Sequence, residues 1–448
     1  MTTHYYHRRC FFTCLAVVLL ASVVMMASGI LSARADTTAS STQDVNALIS
    51  AKNQELQQIN QQIAQNQSQL MQAQQQKQTL SSQLSQINAE INQIDLGIQS
   101  SKITIDTLGL QIEQLQSSIA QGRSDVAQKQ EAVKKVLQQM QEAEGDTPLM
   151  ILLKDQTISD SVMAIQSLQD VNNKLLTSIN DLLNTQQQLT AAVAQASEIK
   201  QSKEQEYQNL NNKKIIASQL SQEKQQFLAQ TKNQEKLYQA SLAALQQRQL
   251  EIASEIDSLE APLREKINFK SLPKFVPGLL AMPLKTFIMT QGYGSTAFAK
   301  GAYKTSHWHN GVDLAAPIGT PIYAAADGIV LAATNQDVYC PHGAYGKYVA
   351  IKHLNGLTTL YGHMSLIVVT KNQSVKRGDL IGYVGRTGFA TGPHLHFGVY
   401  DSETFKIAPS RYCGPEMPYG GDINPLNYLP TIPSSQIAPG SGGLQPGE

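Results

Sequence analysis

Charge is scarce in this chain. Lys, Arg, Asp and Glu make up 16% of its 448 residues, and 35 basic residues balance 35 acidic ones. That balance gives no electrostatic footprint for nucleic acid, so no nucleic-acid partner is expected. The zero is a sum over unlike regions. From Lys270 onward thirteen Lys/Arg stand against nine Asp/Glu, a mild basic excess that suits an acidic polymer without identifying one. Cysteine is scarcer still. Of four, only Cys340 and Cys413 lie beyond residue 14. Two lone cysteines so far apart make a weak metal signal, and spacing alone leaves their pairing open. Proline is absent from 41–259 except at Pro148, so helix-breaking chemistry is nearly missing from almost half the chain.

The N-terminus carries a targeting pattern. His7, Arg8 and Arg9 precede an apolar run from Cys10 to about Leu31, and Ser32-Ala33-Arg34-Ala35 stands before Asp36 as a small-x-small site. Residues 1–35 read as a secretory signal. The run is also about as long as a membrane-spanning helix, so an uncleaved anchor is the alternative. Both place the remainder outside the cytoplasm, secreted or within the cell envelope, where Cys340 and Cys413 can pair.

From 41 to 259 the chain is rich in Gln, Asn, Ser and Ala, with thirteen glutamines between Ala51 and Leu80. Such composition alone fits a low-complexity tract. Apolar spacing points elsewhere. Leu80, Leu84, Ile87, Ile91, Ile94 and Ile98 step by four and three, and Ile105, Leu108, Ile112, Leu115 and Ile119 continue in phase with Ser101 in the missing position. This heptad repeat predicts a coiled-coil helix. Gly145-Asp146-Thr147-Pro148 predicts a break, followed by a short helical segment near 145–170 whose apolar patch, Leu149 to Leu153, suits either a hairpin tip or a partner surface. Two long arms around it fit an antiparallel hairpin; a parallel dimer, and so self-association, is the competitor. Ala261-Pro262 is expected to end the helical pattern, with 260–285 a linker and 431–448 a disordered tail rich in Pro, Gly and Ser.

Between them, 286–430 alternates strand-like stretches with glycine turns: PIYAAADGIVLAAT, KYVAIKHL, LTTLYGHM, DLIGYVG and HLHFGVY. This predicts a compact, largely antiparallel all-β domain, a small sheet or sandwich. Three of its motifs hold histidines. In HLH, residues two apart share one strand face roughly 6–7 Å apart. One of His394 and His396 can then bind a metal while the other faces a ligand beside it, and Leu395 and Phe397 point to the opposite layer. In HNGVD a straight strand would separate His309 from Asp313 by about 13 Å, but Asn310-Gly311 is a turn signal that brings them together. His309, Asp313 and one HLH histidine make two nitrogens and one oxygen with a fourth position left for water, the donor set of catalytic zinc. YGHM adds His363. A structural or storage metal site is the bland alternative, and the spare histidines do not suit a closed site.

HNGVD, YGHM and GPHLHFGV, with AAPIGTPIYAAADGIV and IGYVGRTG, closely resemble the lysostaphin/LytM-type zinc peptidases, over roughly Gly292 to Leu429. The resemblance implies a lysostaphin-like small β-sheet fold that holds Zn2+ in a groove. It implies His309, Asp313 and His396 as ligands, and His363 and His394 as the unliganded pair acting as general base or acid and oxyanion stabiliser. It also implies a zinc-dependent endopeptidase cutting peptide bonds in peptidoglycan stem peptides or crosslinks. His307 lies outside that set and reads as a spectator. Tyr293, Tyr303 and Trp308 are candidate groove aromatics, with packing as the other reading. Signal, coil and C-terminal peptidase together resemble cell-division hydrolases controlled by membrane-bound, transporter-like regulators. Some such relatives are non-catalytic activators of another cell-wall hydrolase, and that is the alternative function.

Overall fold

A computed structural model of the chain describes residues 42–73, 79–142, 158–302 and 307–447. The targeting pattern, Pro148, the 149–153 patch and Tyr303 lie outside them. Among the described residues no helix is long and apolar enough to cross a membrane.

Helical spacing produces four long helices: α1 (Thr42–Ala73), α2 (Leu80–Glu142), α3 (Ile158–Thr231) and α4 (Glu235–Arg264). α2 and α3 run antiparallel. Lys213 Nζ donates to the Gly97 carbonyl and to Ser101 Oγ (2.7 Å), while Lys129 Nζ, much further along α2, reaches Thr185 Oγ1, well before Lys213 on α3. The gap in the heptad at Ser101 is thus filled by an ammonium, whose pKa is lowered by burial. The pairing lies within one chain, as the antiparallel hairpin. Residues 158–170 join the long α3 helix, and the break that appears among the described residues is at Lys232 and Asn233, both with positive φ.

In the C-terminal region β1 (Ile288–Gln291), β2 (Val312–Ala315), β4 (Gly328–Asn335), β5 (Lys347–His353), β6 (Leu357–Gly362), β8 (Ser374–Val375) and β10 (His394–Asp401) form an antiparallel sheet. Its order is β1-β2-β10-β6-β5-β4-β8, and β13 (Asp422–Ile423) pairs with β10. A smaller sheet is made of β3 (Pro321–Tyr323), β9 (Leu380–Val384) and β7 (Met364–Ile367), and β11 (Lys406–Ser410) pairs with β12 (Gly414–Tyr419). Alternation along β10 sends Leu395 and Phe397 into a core shared with Val312, Leu314 and Tyr361. Cys340 and Cys413 form a disulfide that ties the turn after β4 to the β11–β12 hairpin.

Three segments differ from the sequence expectation. The helix expected to end by 259 runs on through Pro262 to Arg264, because a proline this close to the C-terminus removes only one hydrogen bond of the last turns. Within the 260–285 stretch, Leu280 and Leu284 are buried in the main core. The stretch beyond 431 lies along β1: Ile437 bridges Met289, Ala438 N–H donates to the Met289 carbonyl, and Gly292 N–H donates to the Ser441 carbonyl. Backbone pairing with a strand edge orders it despite its composition.

The coil is also docked rather than solvated along its whole length. Ile94, Ile216 and Leu220 pack with Ile318 and Tyr383 of the β domain, and buried Glu90 pairs with Arg386 (2.8 Å). Glu90 lies off the heptad seam, so its burial belongs to this contact and not to helix pairing.

Candidate metal centre and groove

Register places the acidic ligand opposite the histidine. β2 and β10 pair with Asp313 across from His396. His309 is brought alongside by a bend at Asn310-Gly311 and a bridge to Gly294. Gly311 leaves room for this approach, since a Cβ there would stand 2.7 Å from His396 Cε1. His309 Nε2, Asp313 Oδ1 and His396 Nδ1 form a triangle with all three edges 3.1 Å. They are the one His/Cys/Asp/Glu cluster among the described residues that converges in this way.

The hydrogen bonds test whether a cation fits. His309 Nδ1 lies 2.8 Å from the Gly292 carbonyl and donates to it. In the neutral ring that leaves Nε2 as a lone pair, aimed at a carboxylate that has only lone pairs to offer. Two acceptors at 3.1 Å need positive charge between them. Burial alone would raise the Asp313 pKa, yet His309 and His394 hold its carboxyl well below the usual range. Burial would lower His309, but Asp313 reverses this and the net shift is upward. Two nitrogens and one oxygen this close make a donor set that would suit one zinc ion.

The two remaining histidines share one construction. His363 sits between β6 and β7 with φ 60°, and its Nδ1 donates to the Thr387 carbonyl (2.8 Å). His394 Nδ1 donates to the Gly392 carbonyl (2.8 Å). Each ring therefore keeps Nε2 free of a backbone partner, and their centroids lie 4.6 Å apart. His394 Nε2 comes within 3.7 Å of Asp313 Oδ1. Burial, then the nearby His394 and His396 rings, push the His363 pKa well below the ordinary imidazole value. The neutral form of His363 is thereby favoured.

All five expected residues line one cavity. His307 is exposed and does not. Tyr293 packs edge-on against Trp308 (5.3 Å) and its hydroxyl donates a hydrogen bond to the Asp422 carbonyl, so its role is packing. Trp308 lines the cavity.

Several groups at this site carried no mark in the sequence. Helix α4 crosses the groove and leaves a cavity of about 200 Å³ beneath it. Ile252 packs into a cluster with Tyr345, Cys340 and Cys413. Glu260 is buried and accepts from Asn310 Nδ2 at 2.8 Å, beside His309. Asn310 Nδ2 also donates to the Tyr345 hydroxyl, whose ring lies 5.4 Å from His396. Burial, then Asp422, raises the Glu260 pKa well above 4.5. Asp257, Glu260 and Arg264 recur at helical spacing on one face of α4, which marks a shared face but not what it meets.

Comparison with known proteins covers the β domain. Residues 307–409 match Peptidase family M23. Over 89 residues the chain is 49% identical to peptidoglycan DD-endopeptidase ShyA of Vibrio cholerae, covering 20% of this chain and 19% of that protein. Over another 89-residue match it is 45% identical to DD-carboxypeptidase/endopeptidase Mpg of Neisseria meningitidis, with the same coverage of 20% and 19%. The chain thus spans about a fifth of the length of the curated relatives it matches. Among solved structures, the catalytic domain of the prophage-encoded protein EnpA from Enterococcus faecalis is 31% identical, covering 33% of this chain and 95% of that one at a TM-score of 0.26.

Proposed function

Because residues 307–409 are a Peptidase family M23 domain, we propose that this protein is a zinc-dependent endopeptidase hydrolysing peptide bonds in peptidoglycan stem peptides or crosslinks. The observation that carries the reading is the joint presence of the His309–Asp313–His396 triangle and two unliganded imidazoles in one groove. A non-catalytic activator would need none of these five to be aligned. The peptidoglycan DD-endopeptidases among its relatives supply the substrate class.

His309, Asp313 and His396 would hold the metal, which when bound would supply Lewis acidity toward a carbonyl and lower the pKa of water. His363, neutral through burial, is suited to take the proton from the attacking water. The imidazolium so formed passes that proton to the departing amine, and His394, when it carries a proton on Nε2 as well as on Nδ1, hydrogen-bonds the developing oxyanion. The exchange of these two roles between the rings leaves the overall hydrolysis the same. Gly392 and Thr387 carbonyls fix which ring nitrogen faces the groove.

The N-terminal pattern supports export to the cell envelope, and the coil ahead of the catalytic region supports a part in cell-wall remodelling or daughter-cell separation. With α4 across the groove, a polymer enters only when that helix moves. This supports control by a membrane-bound regulator acting through the coil. Exposed Leu137, Leu176 and Leu183 on its arms offer apolar contacts for such a partner or for a second copy.

The test is to incubate the full chain with purified peptidoglycan and identify products by mass, beside chelated, zinc-restored and His396→Ala samples. New peptide termini that vanish on chelation, return with zinc and are missing in the variant are expected. Intact peptidoglycan from a zinc-loaded chain, also after α4 is loosened by Ile252→Ala, would overturn the reading.

A further inference from the structure

Arg264, in the last turn of α4, lies at the groove wall over Trp308, the residue that directly precedes His309 in the chain. Its guanidinium carbon stands 4.8 Å from the Trp308 ring centroid. Nη1 meets Asp422 Oδ1 at 2.8 Å and Nη2 meets Asp257 Oδ1 at 2.8 Å. Asp257 belongs to the same helix as Arg264, but Trp308 and Asp422 belong to the β domain. The Asp422 carboxylate is wholly buried; its other oxygen accepts from Trp308 Nε1 at 2.9 Å. Its backbone is fixed by pairing with Tyr400 on β10 and by the Tyr293 hydroxyl on its carbonyl.

When α4 leaves the groove, Glu260, Asp257 and Arg264 leave together. Asp422 then keeps one neutral donor, the indole N–H, and has one oxygen without a partner beside the open face of an aromatic ring. A carboxylate held next to an indole face is a receptor for a cation. We propose that Asp422 and Trp308 form a substrate subsite for a primary ammonium, and that Arg264 occupies it in place of substrate while the helix is closed. Resting on the peptidoglycan reading, the natural occupant is the free ammonium of a diamino acid in a stem peptide. A cation there anchors the peptide beside the metal ligand that follows Trp308 directly in the chain.

Trp308 is the single tryptophan of the chain and so reports on the site alone. The experiment uses the zinc-loaded full chain carrying Arg264→Ala. Its fluorescence is titrated with N-acetyl-lysine methylamide and with the same compound acetylated on the side-chain nitrogen. The cationic probe is expected to give a saturable change, at least tenfold weaker for the neutral probe, and weaker by a similar factor for the unmutated chain, where Arg264 competes. Adding Asp422→Asn is expected to remove the difference between probes. Equal curves for both probes in the Arg264→Ala chain would overturn the proposal, and this comparison stands even if the Asp422 variant fails to fold. A second arm compares cleavage of crosslinked peptides with the diamino acid ammonium free or acetylated. At least a tenfold fall in kcat/KM on acetylation, carried by KM, is expected. Equal cleavage of both overturns the subsite and leaves the peptidase reading standing. Discrimination by fluorescence with no cleavage of either peptide overturns the peptidase reading and leaves a cation site.

Discussion

His309 and His396 approach the same carboxylate oxygen of Asp313 through different ring nitrogens, Nε2 from one and Nδ1 from the other. The difference follows from position. His309 stands ahead of β2 with its Nδ1 committed to the Gly292 carbonyl, whereas His396 projects directly from β10 opposite Asp313. Two short connections to one strand pair therefore set the ligand geometry without a dedicated loop.

Metal removal should cost stability as well as activity. A ligand at a thousandfold excess over its Kd stabilises the folded state by about 4 kcal/mol. Chelation is expected to lower the Tm of the full chain, and zinc to restore it. In His396→Ala neither treatment should move Tm, and bound zinc measured by elemental analysis should be lost. A chelator-insensitive Tm in the parent chain would contradict the assignment.

His363→Ala and His394→Ala should separate chemistry from metal binding. Both are expected to keep one zinc per chain, while kcat falls by about 10²–10⁴-fold. Burial keeps His363 neutral, so the acid limb of kcat/KM in the parent should lie below the ordinary imidazole range. A variant that loses zinc along with activity would show that ring to be a ligand.

Glu260 makes helix docking sensitive to pH. Its folded pKa is raised, so the folded chain binds this proton more tightly than the unfolded chain. The contribution is fully present below pH 4.5 and is lost as pH rises through the folded value, with a slope of about 1.4 kcal/mol per pH unit inside that window. Glu260→Gln retains an acceptor for Asn310 and removes the titration. Thermal unfolding against pH should show the variant gaining on the parent as pH rises above 4.5, and parallel curves would refute the point.

Gly311→Ala should loosen the centre from behind. The added methyl stands 2.7 Å from both His396 Cε1 and the Phe397 carbonyl. The ring must turn, and a misoriented ligand typically costs about 10–100-fold in metal affinity. Competition with a zinc-binding dye measures this.

The Cys340–Cys413 bond encloses a sequence separation of 73 residues. Replacing Cys413 by Ser is expected to lower unfolding stability by about 2–4 kcal/mol. Urea titration of parent and variant, with and without reductant, checks it. Reductant should affect only the parent.

What could be read in the sequence was whatever local spacing encodes. HLH fixes two side chains to one face because a strand has period two. HNGVD announces its bend through Asn310-Gly311, and the heptads from Leu80 announce a coiled-coil helix, though not which way its partner runs. The closing of the groove left no such trace. Glu260 meets Asn310 and Arg264 meets Asp422 across 50 and 158 positions. Each is an ordinary charged residue on a polar helix until the partner is in place. Composition misled at residues 437–444, where Ala438, Ser441 and Leu444 form backbone bonds that need no side chain.

That same stretch covers the edge of a sheet. β1 is the outermost strand of its sheet, and the segment from Ile437 onward takes up N–H and C=O groups that would otherwise face water. Clipping by a protease ahead of Ile437 would uncover that edge. A bare edge strand can recruit a strand from another molecule, so a trimmed preparation should sediment as larger species while keeping its far-ultraviolet spectrum.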